Sequence, residues 1–137
     1  MFITTRIRVH NEGHRIQSST MQSTEQLLTI MYHALRQPRR RITIQFLCEH
    51  DDHVVSTREL ARQIASSENG VGEGRVTGEP YRNVYNALSQ THLPTLSDAG
   101  IVIYDSERQT VSRGKNFQIA ALLLDTNTPT VDLFRAL

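Results

Sequence analysis

The fold is decided by residues 96–112, LSDAGIVIYDSERQTVS, in which a helix ends and two short strands follow. Gly100 occupies the position at which helices commonly close with one left-handed residue. The apolar run at 101–104 predicts a strand, residues 105–108 predict a turn, and residues 109–112 predict a returning strand. The stretch therefore predicts a helix that leads directly into a short β-hairpin.

Four helices are predicted before the hairpin. The first begins near residue 23 and ends before Pro38, because proline disfavours helical geometry at the residue that precedes it. Pro38 then suits the first turn of a second helix, whose apolar residues lie between 42 and 47. A short strand is predicted over residues 53–55.

The third and fourth helices have clear start signals. The sequence STRE at residues 56–59 matches a capping box, in which the Ser56 hydroxyl accepts a hydrogen bond from the backbone N–H of Glu59 and the Glu59 carboxylate reaches back to Ser56. Asn69-Gly70 is expected to stop this helix. Pro80 begins the fourth helix, and Pro94 is expected to bend or interrupt it.

A glycine-rich segment, residues 68–79, joins the third and fourth helices. It lacks the Lys-Ser/Thr ending of a phosphate-binding P-loop, and no apolar strand precedes it. We interpret it as a flexible linker rather than as a phosphate site.

The two ends of the chain carry different patterns. Residues 2–9 alternate in a way that is typical of a strand, and residues 117–124 form an apolar run that predicts a helix. We therefore divide the chain into an N-terminal β arm (1–22), a central domain (23–113) and a C-terminal helical segment (114–137). The C-terminal segment is more apolar than one short helix can bury, and a lone N-terminal hairpin is marginal in water. We therefore expect a homodimer built by the segments outside the central domain, with either the N-terminal arm or the C-terminal helix as the main contact. The alternative is that both ends fold back onto their own domain.

The order of elements predicts an α+β, mainly helical fold, namely a winged helix-turn-helix with an N-terminal β arm and a C-terminal helix. The third and fourth helices would form the helix-turn-helix, and the hairpin would form the wing. An α-helix fits the major groove of DNA, where all four base pairs can be distinguished. The order of elements therefore favours double-stranded DNA as the partner.

Two stretches resemble known regulators. Residues 35–41, LRQPRRR, followed by an apolar helix, resemble the opening of many archaeal and bacterial winged-helix regulators, including the ArsR-like ones. Residues 85–100, YNALSQTHLPTLSDAG, followed by Tyr104-Asp105, resemble a family of uncharacterised haloarchaeal winged-helix proteins. The similarity covers about residues 25–113 and implies a winged-helix transcriptional regulator, which we expect to be a repressor.

The predicted DNA contacts come from four places in the chain. The polar face of the fourth helix carries arginine, asparagine and glutamine, which bind guanine and adenine edges with paired hydrogen bonds. The N-terminus of the third helix offers free N–H groups to a phosphate, and arginines of the hairpin and the second helix can contact further phosphates. The predicted set is Ser56, Thr57, Arg58, Arg82, Asn83, Asn86, Ser89, Gln90, Arg108, Arg113, Arg39 and Arg40.

Some residues of this set could have only a structural role. Arg39, Arg40 and Arg41 could instead form salt bridges within the protein. An exposed polar helix face is also what any soluble protein shows.

The sequence indicates no other chemistry. Cys48 is the single cysteine, and its place beside an apolar run predicts a buried, unreactive thiol. The six histidines have no metal-binding spacing, and no nucleophile-elbow, paired-carboxylate or dinucleotide-binding motif is present. We expect no enzymatic activity, no cofactor, no metal and no small-molecule substrate.

Charge and hydropathy limit the expected location and partners of the protein. The net charge is +1, but residues 1–50 hold seven arginines against three acidic residues. No apolar run approaches the roughly 18 residues that span a bilayer, and the first residues do not resemble a signal peptide. We therefore predict a cytoplasmic, homodimeric, sequence-specific DNA-binding regulator without a membrane partner. The alternative is a winged-helix adaptor that binds only protein.

Overall fold

The computed structural model describes residues 23–50, 52–70 and 78–125 of the 137-residue chain. The chain divides into two units, residues 1–33 and 34–137. In the first unit the described residues are helical, and this helix, α1, covers residues 23–34. The predicted N-terminal β arm, the middle of the glycine-rich linker and the last twelve residues of the predicted C-terminal segment lie outside the described residues.

The second unit is mainly helical and contains one small sheet. Its helices are α2 (Pro38–Glu49), α3 (Thr57–Asn69), α4 (Glu79–Ala87), α5 (Leu93–Asp98) and α6 (Phe117–Leu123), and a π-helical turn (Leu88–His92) joins α4 to α5. Its strands are β1 (Val55–Ser56), β2 (Val102–Asp105) and β3 (Thr110–Arg113). The protein is therefore α+β and mainly helical, as the sequence predicts.

The three strands form an antiparallel sheet in the order β1-β3-β2. Val55 pairs with Val111 on one side of β3, and Tyr104 pairs with Val111 on the other. The β2–β3 hairpin confirms the predicted hairpin to within one residue. The predicted strand at 53–55 is shorter and later than expected, and it ends at Ser56, which is the N-cap of α3.

The core of this unit lies among the helices and the inner face of the sheet. Helix α3 packs against α4, and α2 packs against both α3 and α6. Spacings of three and four residues bring the apolar side chains of each helix to one face. The larger buried side chains are Ile44, Leu47, Leu60, Ile64, Val84, Leu88, Leu93, Leu96, Ile101, Val111 and Phe117.

Gly100 closes α5 in the way that the sequence predicts. Its φ of +73° lies in the left-handed region, which a residue without a β carbon enters at least cost. A β carbon there would also meet the Asn116 Nδ2 atom at 2.6 Å. That amide nitrogen donates a hydrogen bond of 2.9 Å to the Ala99 carbonyl, so the chain after the hairpin is held against the end of α5.

Pro94 interrupts the long helix through the π-helical turn. Proline has no N–H to donate and its ring crowds the carbonyl four residues earlier, so the regular helical ladder cannot continue through it. Just before the proline, the backbone N–H of Leu93 donates to the Leu88 carbonyl, five residues back. This wider turn keeps the chain helical on both sides of the break.

The prediction that Cys48 is buried is wrong, because the residue is exposed. It lies near the C-terminal end of α2, at an open groove of about 480 Å³ whose lining also includes Ile44 of α2 and Leu122 of α6. Within the described residues, no helix is both long enough and apolar enough to cross a membrane.

Candidate nucleic-acid interface

Helix α4 presents the largest group of the predicted contact residues. It begins after Gly78 with Pro80 in its first turn, where the missing proline N–H would have no helical partner anyway. Val84 and Leu88 are buried and fix the side of the helix that faces the core. Exposed on the other side are Arg82, Asn83 and Asn86, and Gln90 is exposed in the π-helical turn that follows.

Ser89 differs from those four residues because it is only half-exposed. Its hydroxyl donates to the carbonyls of Tyr85 at 3.0 Å and Asn86 at 3.3 Å. The hydroxyl proton therefore forms hydrogen bonds within the helix, and the Ser89 oxygen remains available mainly as an acceptor.

A cationic edge borders α4, and it includes Arg62, which is absent from the predicted set. The guanidinium of Arg62 lies 6.0 Å from the centre of the Tyr81 ring, and the Tyr81 and Tyr85 rings lie 6.0 Å apart. Arg58 and Arg62 are one helical turn apart on α3, so they share a face. That spacing of four residues was the available signal for Arg62.

The N-terminus of α3 carries the Ser56 half of the predicted capping box. The Ser56 hydroxyl accepts a 3.1 Å hydrogen bond from the backbone N–H of Glu59, and Ser56 and Arg58 are exposed. Thr57 is a correction to the predicted set, because its side chain is fully buried. Its backbone N–H donates to the Gln109 carbonyl at 2.9 Å, which fixes this residue between the helix and the hairpin.

Arg108 is exposed in the turn of the β2–β3 hairpin. The turn is held by Asp105, whose Oδ1 atom accepts hydrogen bonds from the backbone N–H groups of Glu107 and Arg108, both at 3.1 Å. Gln109 follows with a φ of +53°. The backbone under Arg108 is therefore well defined, while its side chain extends into solvent.

The side chain of Arg113, at the base of the hairpin, forms contacts within the protein. Its Nη2 atom donates to the carbonyls of Leu47 and His50 at the end of α2, and its guanidinium carbon lies 5.0 Å from the centre of the Phe117 ring. The last carbonyls of a helix lack helical partners and readily accept from an arginine. Arg113 thus connects β3 to the end of α2 through these contacts, and the residue is also exposed.

Of the three arginines at the start of α2, two form hydrogen bonds within the protein and one is buried. Arg39 forms a two-point salt bridge with Glu68 of α3, at 2.7 and 2.9 Å. Arg40 is only 6% exposed, which removes it from the surface that a duplex could reach. Arg41 donates to the carbonyls of Leu35 and Arg36 just after α1, both at 2.8 Å.

Residues 32–112 match the family model of a domain of unknown function, DUF7344. The chain belongs to the DUF7344 family. The match covers more than half of the 137 residues and runs from the end of α1 into β3. No curated protein and no solved structure is significantly similar to the chain.

In this DUF7344 protein the exposed members of the predicted set come from α3, from α4 with the turn after it, and from the hairpin. Ser56 and Arg58 lie at the start of α3, and Arg108 and Arg113 lie on the β2–β3 hairpin. Arg82, Asn83 and Asn86 lie on α4, and Gln90 lies in the π-helical turn that follows. Across the described parts of the chain, no three His, Cys, Asp or Glu side chains are grouped so that they could hold a metal ion. The arrangement offers hydrogen-bond donors and positive charge to a partner.

Proposed function

We propose that this protein is a sequence-specific DNA-binding transcriptional regulator with a winged-helix domain, and that it acts as a homodimeric repressor. In this assignment α3 and α4 form the helix-turn-helix, and the β2–β3 hairpin is the wing. The order of α2, β1, α3, α4 and the hairpin supports it. So does the sheet, because β1 pairs with the outer side of the hairpin strand β3.

The observation that carries the proposal is the exposed polar face of α4. Arg82 can donate two hydrogen bonds to guanine, and Asn86 and Gln90 can bind adenine with paired hydrogen bonds. Arg82 and Asn86 stand four residues apart on α4, so they lie along one side of the helix, and Gln90 follows in the π-helical turn. A single helix placed in the major groove could present all three to base edges.

The residues around α4 suit contacts with the DNA backbone. The capped end of α3 with Ser56 and Arg58 offers a positive helix terminus to a phosphate. Arg62 adds a charge beside Tyr81, and Arg108 can reach a phosphate or the minor groove from the hairpin. Such contacts position a protein on the duplex, whereas base contacts carry sequence specificity.

The test is selection from a random duplex library, followed by affinity measurement on the enriched sequence. The wild-type protein is expected to enrich one motif. Arg82→Ala/Asn86→Ala/Gln90→Ala should lose the motif, at a cost of about 1–3 kcal/mol for each good two-point contact. Arg36→Ala/Gln37→Ala, at two exposed positions away from α4, serves as the control and should bind as the wild type does. Equal binding by the folded triple variant would exclude α4 as the recognition helix.

A protein-binding adaptor without DNA binding is the second candidate, and exposed apolar residues on the sheet favour it. Ile103 is 61% exposed and alternates with buried Val102, so it lies on the outer face of β2. Val54, just before β1, is 56% exposed. If no duplex is enriched, Ile103→Asp should abolish capture of a protein partner while α4 variants leave it unchanged.

A further inference from the structure

Gln109 is the one residue other than glycine that has a left-handed backbone among the described residues. Its φ is +53°, and it stands at the end of the hairpin turn, directly before β3. Short hairpin loops commonly contain one left-handed residue, and glycine adopts this conformation at least cost because it has no β carbon. A glutamine carries a steric cost there, and such residues persist where the surrounding contacts hold them in place.

Two side-chain hydrogen bonds hold Gln109 within the hairpin. Its Oε1 atom accepts from the Tyr104 hydroxyl at 3.0 Å, and its Nε2 atom donates to the Ser106 carbonyl at 2.9 Å. Neither bond is open to glycine. The Gln109 side chain therefore connects β2 to the turn and stabilises the loop that carries Arg108.

The backbone of Gln109 joins the same hairpin to α3. Its carbonyl accepts a 2.9 Å hydrogen bond from the backbone N–H of Thr57, a residue whose side chain is fully buried. The next residue, Thr110, pairs with Ser56 across β3 and β1. One residue thus contacts the turn through its side chain and the first turn of α3 through its carbonyl.

We propose that Gln109 is a positioning residue that holds Arg108 at a fixed place relative to the N-terminus of α3. Arg108 and residues 56–58 would then contact the phosphates of one duplex as a single unit. A contact from an ordered loop costs less conformational entropy on binding than a contact from a mobile loop. This inference rests on the proposed DNA-binding function, whereas the connection between the hairpin and α3 does not.

The first test is a double-mutant cycle with Gln109→Gly and Arg108→Met, measured as affinity for the enriched duplex. Gln109→Gly permits the left-handed backbone and removes both side-chain hydrogen bonds. It should weaken binding by no more than Arg108→Met does, and it should cause no further loss when residue 108 is already methionine. Combined with Arg82→Ala on α4, its loss should simply add, which is the matched control. Additive losses in the Arg108 cycle, or an unchanged affinity of Gln109→Gly, would overturn the proposal.

The second test needs no DNA and measures amide hydrogen exchange in the full chain. Tyr104→Phe keeps the ring and removes only the hydroxyl that donates to Gln109. In this variant and in Gln109→Gly, the Thr57 N–H should exchange up to about tenfold faster for each net hydrogen bond that is lost. The Glu59 N–H, which donates to the Ser56 hydroxyl, should exchange as in the wild type and serves as the internal control.

The two tests separate the inference from the proposed function. A Thr57 exchange rate that is unchanged in both variants contradicts the positioning role, whether or not the protein binds DNA. A chain that binds no duplex contradicts the proposed function, and the Thr57 rate then decides whether Gln109 holds the hairpin on α3.

Discussion

Arg108 and Arg113 are five residues apart on the β2–β3 hairpin, and their side chains have different surroundings. Arg108 is exposed in the turn, whereas Arg113 donates to the Leu47 and His50 carbonyls. Arg113→Met should therefore lower the free energy of unfolding by about 1 kcal/mol, because two helix-end carbonyls lose their donor. It should leave the salt dependence of DNA binding unchanged.

Arg108→Met is the matched comparison for this prediction. It should leave the free energy of unfolding within about 0.5 kcal/mol of the wild type, as is usual at the surface. The slope of log affinity against log salt should fall by about one, since one phosphate contact is lost. Urea denaturation and binding at several salt concentrations measure the two effects. The reverse result, with the slope sensitive to Arg113 only, would mean that Arg113 leaves α2 to contact DNA.

At the scale of elements, the N-terminus of α3 combines a structural role with a proposed binding role. The Ser56 hydroxyl caps the Glu59 N–H, so Ser56→Ala should lower the free energy of unfolding by about 0.5–2 kcal/mol. Ser56→Asp should retain the stability, because aspartate caps as well as serine. It should nevertheless weaken DNA binding, since its carboxylate would face a phosphate. Stability and affinity measured on both variants separate the two roles, and equal stability of Ser56→Ala and the wild type would refute the cap.

At the scale of the whole molecule, helix α6 leaves apolar side chains exposed. Leu122 is 68% exposed and borders the groove between α2 and α6. If α6 forms the proposed homodimer contact, light scattering at micromolar concentration should give twice the mass of one chain. Leu122→Asp should give the monomer, while Val54→Asp, at an exposed apolar residue elsewhere, should remain dimeric.

Two outcomes would change the homodimer proposal. A monomeric wild type at micromolar concentration would remove it. A dimeric Leu122→Asp would place the main contact outside α6. In a dimer with two-fold symmetry, the two copies of α4 would lie about one DNA turn apart and favour a palindromic site.

The sequence by itself determined the types of the described elements and many of their ends. The Ser56 cap, the left-handed Gly70 and Gly100, the hairpin turn and the break near Pro94 depend on hydrogen bonds and backbone angles within a few residues. Such signals are local, so they can be read without knowing the fold. The exposed polar face of α4 followed from helical spacing in the same way.

Only the tertiary structure decided which candidate side chains are available. Arg39 reaches Glu68, 29 residues away, and Arg113 reaches the Leu47 carbonyl, 66 residues away. Packing buries Thr57 and Arg40 and leaves Cys48 exposed. Helical spacing describes one element at a time, whereas burial and long-range hydrogen bonds depend on what a second element places opposite each side chain. Residues of the same type in similar local patterns therefore differ in what they can bind.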